Sequence, residues 1–176
     1  MSDCCAPTTT TAETRFTVAR TETVRAETDR MHCPQCGKKG KAVDLLTVKA
    51  LLARSLMDLT SKSYRFCAQA DCSVVYFATD GSQVLYEEDV RERVFQKHPE
   101  DPDVFVCYCF RYTVGAIHGE VQRTGQSTAP DEISAGVKAG KCGCEVRNPQ
   151  GSCCLGNVRS VVKRAQADAP LSVVGS

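Results

Sequence analysis

Twelve cysteines, at positions 4, 5, 33, 36, 67, 72, 107, 109, 142, 144, 153 and 154, constrain this chain more than any other feature. They come in close pairs, and that spacing needs a chemical reason. In an exported chain an even count would suggest disulfides. This one begins Met1-Ser2-Asp3-Cys4-Cys5, without a basic segment followed by an apolar one, so the expectation is a cytoplasmic protein whose thiols stay reduced. Cys-Cys and Cys-x-Cys neighbours also cannot easily bridge each other with relaxed disulfide geometry, whereas two thiolates a few residues apart can converge on one metal ion.

The remaining composition narrows the partners. Lysine and arginine number 22 against 21 aspartate and glutamate, which leaves no basic surplus for a phosphate backbone; nucleic acid is not expected. No run approaches the roughly 18 consecutive apolar residues needed to cross a bilayer, so no membrane insertion is expected. At 176 residues and 42% hydrophobic, the chain can build one ordinary core or two small ones.

Texture divides the chain into parts. Residues 1–29 are rich in Thr, Glu, Arg and Ala, with the run Thr8 to Thr11, and are expected to form a flexible, disordered tail. Residues 30–98 alternate short apolar runs with cysteine pairs, and strands are predicted around Val43 to Val48, Tyr64 to Cys67, Val74 to Phe77 and Gln83 to Tyr86. Asp80-Gly81 marks a hairpin between the last two. A short helix from Val48 to Ala53, capped by Thr47, is predicted between the cysteine pairs. His98 to Asp103 is polar, with two prolines, and reads as a linker. In residues 104–167, Thr113 can cap a helix through about Arg123, Asp131 one ending at Gly140, and Asn157 one reaching about Ala167, before a tail over 168–176. No internal repeat is visible.

Cys33-Pro34-Gln35-Cys36 and Cys67-Ala68-Gln69-Ala70-Asp71-Cys72 read C-x2-C and C-x4-C, each beside a predicted strand. This is the grammar of a zinc ribbon: zinc takes four thiolates tetrahedrally, and a tight turn brings two sulfurs to one ion while backbone N–H groups soften their charge. Cys33, Cys36, Cys67 and Cys72 are therefore the expected metal ligands of a closed, structural site. His32 is not needed to complete the shell, His98 is expected to be solvated linker, and His118 a helix-surface residue.

The second cysteine group has a different spacing. Cys107-Tyr108-Cys109 precedes a predicted helix, and Cys142, Cys144, Cys153 and Cys154 follow in a glycine-bearing loop with Gly140, Gly143, Gly151 and Gly156. A C-x-C pair before a helix can place two thiolates on one iron with helix N–H groups facing the anionic cluster, and two loop cysteines complete the other iron. Six cysteines compete for four places, and a second zinc site is the competing reading of this half.

The order C-P-x-C, C-x4-C-x-V-V-Y-F, V-C-Y-C and N-P-x-G-x-C-C, over about residues 31 to 160, resembles the N-terminal domain of CopZ-type copper chaperones. The resemblance implies zinc on Cys33, Cys36, Cys67 and Cys72 and a [2Fe–2S] cluster in a helical segment akin to bacterioferritin-associated ferredoxin domains. Cys107 and Cys109 look like the first cluster pair and Cys144 and Cys154 like the second, with Cys142 and Cys153 as competitors. Such chaperones also carry a C-terminal copper domain with M-x-C-x-x-C, which is not found through Ser176. What the resemblance then implies is the redox half, and the adjacent thiols Cys4-Cys5 offer a substitute capture point for a soft ion.

The expected fold class is α+β: a small zinc-ribbon-like β lobe followed by a helical [2Fe–2S]-binding lobe. The expected function is that of an iron–sulfur and zinc metallochaperone, a one-electron redox partner in handling copper or another soft metal, working with a metal-transport protein. No catalytic triad, phosphate loop or dinucleotide fingerprint appears, so no enzyme is expected. Two rivals are a ferredoxin-like electron carrier with no transported metal and a zinc-ribbon adaptor.

Overall fold

In the computed structural model, the described residues are 31–61 and 63–168; the N-terminal tail with Cys4-Cys5, and the C-terminal tail beyond Asp168, lie outside them. A four-stranded antiparallel sheet, in the order β1-β2-β3-β4, is formed by β1 (Lys41–Val43), β2 (Tyr64–Phe66), β3 (Val74–Ala78) and β4 (Val84–Tyr86). The β3–β4 turn is the one expected at Asp80-Gly81. Gly81 takes φ +76°, and Asp80 Oδ1 accepts from Ser82 N at 2.9 Å.

All five residues of β3 are buried, because both faces of the sheet are covered. Val74 and Phe77 pack with Cys33, Cys67 and Cys72 on one side, while Val75, Tyr76 and Ala78 join Val48, Leu51, Leu52 and Leu85 on the other. A bulge between Val74 and Tyr76 explains how the adjacent Val75 and Tyr76 reach the same cluster. Gly40 belongs to the cysteine side: a Cβ there would come within 2.5 Å of the Phe77 ring.

Helix α1 spans Leu45–Leu51 and begins earlier than the sequence suggests. Asp44 is the cap, its Oδ1 accepting from Leu46 N at 2.7 Å, and Thr47 is buried inside the helix; the predicted strand from Val43 onward accordingly stops at Val43. Asp44 wins because a carboxylate at the N-cap also meets the positive end of the helix dipole, and because Thr47, Val48 and Leu51 share the buried face.

The second half contains α2 (Val114–Thr124), α3 (Ala129–Lys138), the single turn α4 (Cys144–Arg147) and α5 (Leu155–Asp168), preceded by an unanticipated hairpin of β5 (Phe105–Cys107) and β6 (Tyr112–Thr113). Thr113 caps α2 as expected, accepting from Ala116 N. Helix α3 starts before Asp131, with Thr128 at the cap and Pro130 in its first turn, and α5 starts at Leu155 rather than Asn157. Val104, Val106, Ile117, Ile133, Val158 and Val161 form its core.

Residues 98–103 are not a loose linker. Asp101 N and Val104 N donate to His98 O and Asp101 O at 3.2 Å each, and Gly115 N donates to Pro102 O at 2.9 Å. A Cβ on Gly115 would lie 2.9 Å from that same oxygen, so the proline turn is seated on the start of α2. His98 is likewise not simply solvated: its Nε2 lies 2.7 Å from Glu87 Oε2. His118 is half-buried on α2, with its Nε2 shielded from solvent, rather than on an open helix surface.

Candidate metal centres

The first four cysteines meet at one point. Cys36 Sγ lies 3.6 Å from Cys67 Sγ, Cys33 Sγ lies 3.7 Å from Cys72 Sγ, and all four sulfurs lie within 4.8 Å of one another. A tetrahedron with Zn–S bonds of about 2.3 Å has S···S edges of about 3.8 Å, so the spacing fits zinc. Two turns create the site. Cys33 N donates to Lys38 O at 2.8 Å and Gly37 takes φ +68°, closing the first; Cys67 continues β2 with its N–H on Val75 O at 2.9 Å, while Cys72 leads into β3. His32 is exposed on a bridge with Lys39 and is not in this group.

Backbone N–H groups face the sulfurs: that of Lys38 reaches Cys36, that of Gln69 reaches Cys67 and that of Val74 reaches Cys72. Burial raises the Cys67 thiol to about 12, against the Gln69 N–H and the nearby Lys97 ammonium, and burial also raises Cys72. Burial opposes ionisation at Cys36 too, but the Lys38 N–H and the surrounding thiols hold it below the ordinary thiol range. The set is closed and shielded: Cys33, Cys67 and Cys72 are each 2% exposed.

The later cysteines are arranged differently. Cys107, Cys144 and Cys154 are buried, Cys109 and Cys142 half-buried, and Cys153 exposed. Cys109 Sγ lies 3.8 Å from Cys144 Sγ, and Cys107 and Cys154 are close enough for each to shift the other's ionisation, so the hairpin and the loop meet at their thiols. The structure thus pairs Cys109 with Cys144 and sets Cys107 beside Cys154, while Cys142 also acts on Cys144 and Cys153 on both Cys144 and Cys154. Among the described residues, only the first four cysteines gather as a group able to hold a single metal ion.

The N–H groups on this site come from turns rather than from a long helix. Those of Cys109 and Phe110 point to Cys107, and Gly143 N donates to Cys109 Sγ at 3.4 Å. Hydrogen bonding from Cys154, opposed by burial and aided by those two N–H groups, lowers Cys107 to about 7. The neighbouring Cys107 and burial push Cys154 well up; burial and the neighbouring Cys109 do the same to Cys144. Phe110 is held over Gly136, where a Cβ would lie 2.5 Å from its ring, which fixes the turn beside Cys109 onto α3.

The loop carrying Cys153 and Cys154 is moulded on the β lobe. Tyr76 OH donates to Pro149 O at 2.7 Å, Asn148 Nδ2 donates to Ser152 O at 2.7 Å, and Lys41 Nζ donates to Ser152 Oγ at 2.6 Å. Gly151, at φ +65°, sits where a Cβ would meet Thr47 Oγ1 and Val43 Cγ2 at 3.0 Å. Sequence reasoning missed Tyr76 and Lys97, whose partners are 73 and 28 residues away.

Residues 30–91 match the CopZ-type model described as a zinc binding domain. A comparison with curated proteins gives no match. Among solved structures, the chain is similar to the N-terminal domain of CopZ from Archaeoglobus fulgidus, with 32% identity and a TM-score of 0.62 over 74% of this chain and 97% of that one. With that identity over nearly the whole solved domain, and with four thiols placed to share an ion, the chain belongs to the CopZ N-terminal domain family of metal-binding proteins.

Proposed function

We propose that the chain is a zinc and iron–sulfur protein of soft-metal handling, in which Cys33, Cys36, Cys67 and Cys72 hold zinc and Cys107, Cys109, Cys144 and Cys154 hold a [2Fe–2S] cluster. Membership of this family makes the protein a non-catalytic metal chaperone. The carrying observation is the contrast between its two thiol groups. The first closes on a point at zinc-like S···S distances, while the second spreads its thiols between hairpin and loop, with Cys109 Sγ 3.8 Å from Cys144 Sγ and Cys107 beside Cys154, a spacing that supports the reading of two metal centres.

A bound [2Fe–2S] cluster supplies one reversible electron without a change of ligands. The chain's own contribution is to hold the thiols and stabilise their negative charge. The N–H groups of Cys109, Phe110 and Gly143 face sulfur, and burial of Cys107 and Cys154 keeps water away. Exposed Cys153 and half-buried Cys142 mark the open side, where a redox partner or a soft ion such as copper would approach. The units are residues 30–98 and 104–167, in a cytoplasmic protein whose partners are a soft metal ion, copper above all, or a metal-transport protein, and a redox partner.

Anaerobic purification followed by zinc, iron and labile-sulfide analysis and visible absorption tests this. One zinc and two irons per chain are expected; zinc alone, at both sites or one, overturns the iron–sulfur assignment. Copper titration of the loaded protein then separates a metallochaperone from a simple electron carrier, which would bind none.

A further inference from the structure

Residues 94–98 touch every part of the molecule described above. Val94 is buried in the core of the β lobe and Phe95 in the core of the helical half. Gln96 Nε2 donates to Gln150 Oε1 at 2.7 Å, in the cysteine loop, and His98 pairs with Glu87. Lys97 turns toward the first cysteine site: the residue is 9% exposed, and its Nζ donates to Gln69 O at 2.7 Å, inside the turn between Cys67 and Cys72.

A buried lysine is rare, and its ammonium is costly to desolvate without a compensating anion. Among the described residues no carboxylate is within ion-pair distance of Nζ, and one carbonyl is a weak counterpart for a full charge. The anion that suits it is the neighbouring cysteine set, since a divalent ion on four thiolates is a net dianion. Partners one step beyond the ligands are known to tune such sites.

We propose that Lys97 is the positioning cation of the first cysteine site: its ammonium, fixed by Gln69 O, offsets the charge of the metal–tetrathiolate, so that metal loading tightens the 94–98 junction shared by the two halves. The proposal rests on the zinc reading given above. It assigns Lys97 a larger role in the loaded protein than in the metal-free one, which a simple hydrogen bond to a carbonyl would not have.

The test is zinc affinity of the full chain, measured by competition with a chromophoric chelator, in wild type, Lys97→Gln, Lys97→Met and Lys97→Arg. Glutamine keeps an N–H donor for Gln69 O but no charge. Lys97→Gln and Lys97→Met are expected to weaken zinc binding by about tenfold or more, with Lys97→Arg restoring it; wild-type affinity in Lys97→Gln overturns the proposal. If wild type itself binds no zinc, the underlying zinc reading fails, and the wild-type measurement alone reveals it. A second measurement needs no variant. In wild type, zinc should slow hydrogen exchange at the amides of Lys97 and His98, which donate to Val94 O; exchange unchanged by zinc refutes the coupling.

Discussion

At the scale of single residues, the cysteine pairs differ in what their loss should do. Cys36→Ser is expected to lower zinc content and the melting temperature, because removing one of four ligands opens a site whose metal supplies folding free energy; normal zinc stoichiometry in this variant would sink the assignment. Zinc loading near pH 7 should also release at least the protons of Cys67 and Cys72, both of which are held protonated by burial. A pH indicator reads this directly, and the sign follows: zinc affinity rises with pH and falls on acidification, because protons compete with the ion for the sulfurs. In the second site, serine at Cys107, Cys109, Cys144 or Cys154 should bleach the chromophore or shift it strongly, whereas serine at Cys142 or Cys153 should leave a reducible paramagnetic signal. If the loss falls on Cys142 and Cys153 instead, the ligand set is threaded differently. The metal-ligand pattern was legible because C-x2-C and C-x4-C are local. Lys97 was not, since its partner is 28 residues away and nothing in its own neighbourhood announces it.

Among elements, the legible features were again those encoded over a few residues: the Asp80-Gly81 turn, β3, and the Thr113 cap of α2. Helix α1 was misplaced because Asp44 and Thr47 are both good caps, and the choice between them is made by which face Val48 and Leu51 bury. The β5–β6 hairpin was missed because its strands hold three and two residues and its turn is built around Arg111, a non-glycine residue at φ +62°. Arg111 sits 4.0 Å over the Phe105 ring, a contact visible only after folding. The elements also suggest a test of how the cysteine loop is held. Tyr76→Phe removes the donor to Pro149 O and should destabilise the protein by about 1–3 kcal/mol, because a buried carbonyl loses its partner. A thermal melt should fall by about 2–4 °C for each kcal/mol lost; an unchanged melting temperature would show that the loop does not depend on this bond. Gly136→Ala should likewise displace Phe110 and, with it, the turn at Cys109, which is best followed by the visible spectrum of the loaded protein.

For the whole molecule, the two halves are one structure. No helix among the described residues is long and apolar enough to cross a membrane, and the buried surfaces are spent on each other: the Tyr108 hydroxyl donates to Arg93 O at 2.8 Å and accepts from Phe95 N at 2.9 Å, while α1 packs against α4. Heating should therefore give one transition, with ellipticity and tyrosine fluorescence changing together; two separated transitions would show independently folding halves. The seat of Gly151 on Thr47 and Val43 has a historical consequence as well. A loop shaped by the surface beneath it cannot be exchanged freely between relatives. A chain given a new second half by recombination would bring cysteines in the right order but set them on a foreign floor, so a second half grafted without matching residues at Val43, Thr47 and Tyr76 should lose the seat of residues 148–152.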